Sequence, residues 1–154
     1  MIVYRIGKTK HARNLTGEGA RLNGGRWNHK LTPCLYTSES RALALLEYSV
    51  NVNIDDIPHT LSITTLEIPD SIILQLTIAS LPRNWRESPA PTATKDFGTD
   101  LLKNASHPVI KIPSAIIPEE FNYILNQLHR DSAAFRVIDV ADFVYDVQIK
   151  KVLK

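Results

Sequence analysis

Short runs of β-branched and aromatic residues stand at both ends of this chain, with stretches of helical periodicity between them. That distribution limits the fold more than any other feature. IVYRI (2–6) reads as a strand, and PCLYT (33–37) as a second that feeds directly into SESRALALLEYSV (38–50). There Ser38 is placed to cap a helix over 38–51, Glu39 adds negative charge to its first turn, and Ala42, Leu43, Leu45, Leu46 and Val50 form an apolar stripe. TLSITTLEI (60–68) alternates like a half-buried strand, Pro69 and Asp70 turn the chain, and SIILQLTI (71–78) reads as a further strand or extended segment. Pro82, Pro89 and Pro91 make 82–92 a loop carrying Trp85.

Thr94 is expected to cap a short helix through Phe97, Leu101, Leu102 and Ala105, which Gly98 weakens, and VIKI (109–112) then forms a strand ending at Pro113 and Ser114. PEEFNYILNQLH (118–129) fits two templates. Phe121, Ile124, Leu125 and Leu128 match a helix with Pro118 in its first turn, whereas NYILN competes as a strand. FRVIDV (135–140) and FVYDVQI (143–149) close the chain as two β-rich runs. The expected class is α+β, a single compact domain over 1–154 with a mixed, mostly antiparallel sheet and a few helices.

With 154 residues the chain is long enough to bury about two thirds of its unfolded surface in one core. The single cysteine, Cys34, excludes an internal disulfide, and His11, His29, His59, His107 and His129 show no metal-ligand spacing, so no metal is expected. MIVYRIGKTK lacks a basic segment followed by a long apolar core, and no 18-residue apolar run occurs, so a soluble cytoplasmic protein without membrane association is expected. Charge is uneven. Residues 1–50 carry eight Lys or Arg against three Asp or Glu, a net of +5, and the remainder nets −3. Such a field suits a phosphorylated ligand as well as it suits an ordinary solvated surface.

GARLNGGRWN (19–28) concentrates glycine and hydrogen-bond donors. Gly24 and Gly25 mark a tight bend whose amides are candidates for an anion nest; Arg26 adds a planar cation matched to phosphate, Arg21 is a second candidate, and Trp27 and Asn28 offer a flat face and an amide. An equally good reading makes the glycines a simple turn, pairs Arg26 with a carboxylate and plugs Trp27 into the core. Neither a phosphate-binding Walker sequence nor a GxGxxG fingerprint is present. Glu47 falls at the margin of the helix stripe, beside Leu43 and Val50, where a carboxylate has either a structural partner or a pocket to face.

GEGARLNGGRWN, LYTSESRALALLEYSV, IKIPSAIIPEEFNYILNQLH and the terminal FVYD resemble, in order and spacing, the RES-domain family. The family's arginine, tyrosine, glutamate and serine fall on Arg26, Tyr36, Glu47 and Ser114; the literal Arg86-Glu87-Ser88 is a coincidence. Lys30-Leu31 stands where a glycine often follows, and Gln127 where many members carry proline. The resemblance implies the ADP-ribosyltransferase toxin fold and an extended FNYILN segment. It also implies the toxin half of a bacterial type II toxin–antitoxin system that uses NAD+ as substrate, with no cofactor, and pairs with an antitoxin bearing an Xre-like DNA-binding region.

In that reading the chain makes no direct contact with nucleic acid, and both a homodimer and a hetero-oligomer with the antitoxin stay open. Glu47 would stabilise the oxocarbenium-like ribosyl centre and Arg26 would clamp the pyrophosphate. Tyr36 would stack on the nicotinamide or ribose or donate its hydroxyl, Ser114 would position the carboxamide or a phosphate, and Gly24 and Gly25 would line the nucleotide site. Tyr123, Asn126 and His129 have structural roles or line the pocket. Hydrolysis or phosphorolysis of NAD+ is the first expectation, ADP-ribosylation of a protein the alternative, and a nucleotide-binding regulatory module without turnover the reading from another class.

Overall fold

The computed structural model describes residues 1–150. In chain order they form β1 (Ile2–Lys8), α1 (Glu18–Asn23), β2 (Leu35–Ser38), α2 (Arg41–Asn51), β3 (Leu61–Glu67), β4 (Ile73–Gln75), α3 (Thr92–Asn104), β5 (Val109–Pro113), β6 (Phe121–Leu125) and β7 (Arg136–Phe143). The strands make one sheet in the order β4-β5-β6-β2-β1-β3-β7. Only β4 and β5 run parallel; every other neighbouring pair is antiparallel. This is the expected mixed, mostly antiparallel α+β domain.

Because directly paired residues share a face, the register Tyr4↔Ser38↔Asn122↔Ile112 makes one rung across four strands, with Tyr36↔Ile124↔Ile110 two residues along. On this face the core gathers Ile110, Ile112 and Ile124 beneath Trp27, Trp85 and Leu102, with Tyr36 and Phe97 packed against them. The opposite face buries Val3, Leu35, Leu66, Val109, Tyr123, Leu125 and Phe135. Helix α2 joins the first face at β1, where the Arg41 guanidinium lies 4.4 Å from the Tyr4 ring centroid.

Several elements differ from expectation. Residues 7–30, whose polar, glycine-containing sequence reads as a loop, contain a short helix: α1 occupies Glu18–Asn23, entered through Gly17 at φ 74° and left through Gly24 at φ 71°. Helix α2 is capped by Ser40, whose side chain accepts the Leu43 amide, and not by Ser38, which stays in the strand ladder opposite Asn122. Ala42 and Val50 of the anticipated stripe are exposed, while Leu43 and Ala44 are buried. Helix α3 starts two residues before Thr94.

Gly98 sits inside α3 for a tertiary reason: a Cβ there would stand 2.0 Å from the Trp27 carbonyl oxygen. The ambiguous PEEFNYILNQLH contains β6, not a helix. The two terminal β-runs are one strand, β7, followed by a turn of 3-10 helix at Val147–Lys150. That tail returns to α2, where the buried Tyr145 hydroxyl donates to Ser49 Oγ at 2.8 Å.

Candidate active site

The GGRWN loop is built as a scaffold before it is a ligand site. Trp27 is 4% exposed and stacks on Trp85 at 6.2 Å and edge-on to Phe97 at 6.0 Å. Asn28 is wholly buried: its Nδ2 donates to the carbonyls of Ala20, His29 and Thr32, and its Oδ1 accepts the Tyr36 hydroxyl at 2.5 Å. That same hydroxyl accepts the Trp27 amide at 3.1 Å. Helix α3 grips the loop from outside through Lys95 Nζ to Gly25 O, Thr99 Oγ1 accepting from the His29 amide, and a 2.6 Å pair between His29 and Asp96.

The anticipated anion nest is not present at the two glycines. The Gly24 amide donates to Ala20 O and the Gly25 amide to Asn28 O, so neither N–H is open to a phosphate. Gly25 is needed for proximity: a Cβ there would stand 2.7 Å from the Tyr36 hydroxyl. Arg21 is likewise removed from the site, since it forms a two-bond fork with Glu18.

Beyond the loop lies a cavity of about 640 Å³, within the range of small-molecule sites. Gly24, Gly25, Arg26, Tyr36 and Glu47 line it together, and α2 contributes Ala44, Glu47, Tyr48 and Asn51 from one helical face. Arg26 is half-buried. Its Nη1 is pinned by the carbonyls of Trp85 at 2.7 Å and Glu87 at 2.8 Å, while Nε and Nη2 have no protein acceptor among the described residues. Burial pushes this guanidinium below its ordinary value, and the fields of Glu47 and then Tyr36 draw it back up. Arg26 and Glu47 thus line one cavity with opposite charges and form no ion pair among the described residues.

Glu47 is fixed through one oxygen. Its Oε1 accepts from Ser114 Oγ at 2.7 Å and from Asn122 Nδ2 at 2.6 Å, and Oε2 has no protein donor among the described residues. Ser114 is wholly buried, and its hydroxyl also accepts the amides of Ile116 and Ile117. With its proton committed to Glu47 and no exposed surface, Ser114 holds the carboxylate rather than a substrate, contrary to the expected contact with carboxamide or phosphate. Of the two roles expected of Tyr36, donation by the hydroxyl is closed off, because that group is spent on Asn28 and Trp27 and burial keeps it protonated by raising its pKa well above the usual phenol value, while its ring lines the cavity.

Asn122 and Ser38 were missed as site residues. The signal lay in the FNYILN block, but their juxtaposition depends on a pairing between residues 84 apart. Tyr123 and Asn126 are buried away from the cavity; Asn126 donates to Leu102 O and His107 O, and Tyr123 belongs to the opposite core. His129 is also buried and accepts the Asp131 amide. Cys34 is buried too, and its thiol is pushed up from 9.0 to about 12, which makes it a core residue and not a nucleophile.

A RES domain family model matches residues 2–147. Among relatives, a protein named Toxin Res from Yersinia enterocolitica is 35% identical over 152 residues, covering 97% of this chain and all of the relative. A Prs ADP-ribosylating toxin from a Sphingobium species is 32% identical, covering 90% of this chain and 88% of the relative. A chain in the crystal structure of the M. tuberculosis MbcT–MbcA toxin–antitoxin complex superimposes with a TM-score of 0.72, spanning 92% of this chain and 83% of that one at 18% identity, which establishes a common fold. By the extent of the family match and of these alignments, the chain belongs to the RES-domain family.

Proposed function

We propose that this chain is the toxin of a toxin–antitoxin pair and that it cleaves the bond between nicotinamide and ribose in NAD+, passing the ADP-ribosyl group to water or phosphate. One observation carries the reading: a carboxylate locked through Oε1, with Oε2 left open, lines the same cavity as an arginine with a free donor edge. In such a cleavage the C–N bond breaks, its electron pair leaves with the now neutral nicotinamide, and C1′ of the ribose becomes cationic. A fixed negative oxygen beside that carbon stabilises charge that is absent from the ground state, as carboxylates do in glycoside cleavage. The incoming water or phosphate oxygen then bonds to C1′ and loses its proton to solvent.

Arg26 serves binding. Pinned by two carbonyls, its guanidinium has little rotamer entropy left to lose, and its Nε–Nη2 edge matches two oxygens of a pyrophosphate. Holding the nucleotide there sets C1′ relative to Glu47 and converts binding energy into orientation. The antitoxin partner is supported by the fold neighbour, which was solved as a toxin–antitoxin complex, and the +5 charge of the first 50 residues suits a phosphorylated substrate.

The relative named as an ADP-ribosylating toxin favours a second reading, in which a protein side chain replaces water as acceptor. Both share the C–N cleavage. The test incubates the purified chain with adenylate-labelled NAD+ in plain buffer, with phosphate, and with a cell extract, and measures free nicotinamide together with the fate of the label. Free nicotinamide with label in ADP-ribose or its phosphate ester is the expected result. Label on protein alone would move the assignment to transfer, and saturable NAD+ binding with no nicotinamide released would replace both with a regulatory module.

A further inference from the structure

We infer that Asn122, oriented by Ser38, is a positioning residue that aims the open oxygen of Glu47 into the cavity. The inference rests on the reading of Glu47 given above and extends it to a residue outside the arginine, tyrosine, glutamate and serine that the family resemblance singles out.

The hydrogen-bond directions are set by chemistry. A carboxylate has only acceptors, so the Asn122 atom 2.6 Å from Glu47 Oε1 is the amide nitrogen. The Asn122 carbonyl oxygen then faces Ser38 Oγ at 2.7 Å, and Ser38 donates to it. On the other side Ser114 accepts two backbone amides, which turns its own proton toward Glu47. Oε1 thus sits between two donors that come from different parts of the sheet: Asn122 from the rung of β6, and Ser114 from the turn after β5. Two fixed donors on one oxygen define the plane of the carboxylate; one alone leaves it free to swing about that single bond. Asn122 is half-buried and lines the cavity beside Glu47, so it also excludes water from the side of the carboxylate it touches.

Asn122→Asp keeps the shape and removes the donor, placing a second acceptor against Oε1. The expected result is a fall in kcat of about 10- to 100-fold, the weight of one charge-assisted hydrogen bond, with KM for NAD+ changed by less than about threefold because Arg26 is untouched. Asn122→Ala removes the amide without adding charge and is expected to fall within the same range; far-UV and thermal melts of both variants verify folding.

The deciding readout is coupling. In a Glu47→Gln background Asn122→Asp should change nicotinamide release by less than about twofold, because the group it positions has already been neutralised. Asn122→Asp lowering both backgrounds by equal factors, or raising KM with kcat intact, would overturn the positioning role. A Glu47→Gln protein as active as the parent would instead overturn the reading of the site itself, so the two failures are distinct.

Discussion

Replacing Gly98 with alanine tests whether α3 supports the GGRWN loop. In an exposed helix interior the change gains about 1 kcal/mol in propensity. In α3 the new Cβ would stand 2.0 Å from the Trp27 carbonyl oxygen, with the Trp27 carbonyl carbon at 2.7 Å and its Cα at 2.8 Å. All three are backbone atoms that no rotamer change moves. Restoring ordinary contact distances requires a retreat of about 1.5 Å by the helix or the loop.

That retreat opens the stacking of Trp27 on Trp85 and Phe97 and strains the Lys95–Gly25 and Thr99–His29 bonds. Overpacking of about 1–3 kcal/mol, set against the propensity gain and added to weakened aromatic contacts, leaves a net loss of about 2–3 kcal/mol. For a chain of this length that lowers Tm by about 5–10 °C. Gly19→Ala is the matched control, because that helical glycine has nothing within 4 Å of an added Cβ and is expected to stabilise slightly. Thermal and urea unfolding of both variants decide it: a Gly98→Ala protein that melts at or above the parent temperature refutes the argument.

Ser114→Ala leaves the Ile116 and Ile117 amides and one lobe of Glu47 without their partner, and should cost about 1–3 kcal/mol in urea unfolding while lowering nicotinamide release. Leu31, 76% exposed at φ 79°, carries a left-handed strain of about 1–2 kcal/mol, so Leu31→Gly should raise stability by about 0.5–1 kcal/mol once the glycine's chain entropy is subtracted; a loss in the same melt contradicts this. The buried Cys34 thiol binds its proton more tightly folded than unfolded, so its contribution is complete below about pH 9 and is lost as pH rises from 9.0 toward about 12. Tyr36 acts in the same direction from its ordinary value upward, and stability measured across the alkaline range should fall with slope reduced in Tyr36→Phe.

The sheet was legible wherever one strand carried its own signal. β1, β2, β3 and β5 announce themselves through β-branched runs, and β6 only through the family resemblance, since Phe121, Ile124 and Leu125 also fit a helical period. What local sequence could not carry was contact. Ser38 and Ser40 are chemically equal as caps, and the choice between them is made by β6, which keeps Ser38 in its ladder. Gly98 reads as a helix breaker until the Trp27 carbonyl is seen against it. Of the site, residue type and spacing made Arg26 and Glu47 candidates and the family resemblance gave them roles, whereas the hydroxyl roles of Ser114 and Tyr36 and the amide role of the paired glycines depended on whether those polar groups were free, and the fold had already used them.

The central claim is that Arg26 and Glu47 hold one dinucleotide between them, and a crystal structure with a non-cleavable NAD+ analogue examines it directly. The expected complex has the pyrophosphate on the Nε–Nη2 edge of Arg26 and the nicotinamide ribose C1′ about 3–3.5 Å from Glu47 Oε2. A nucleotide bound outside this cavity, or bound within it with Glu47 Oε2 facing solvent away from the ribose, would contradict the account.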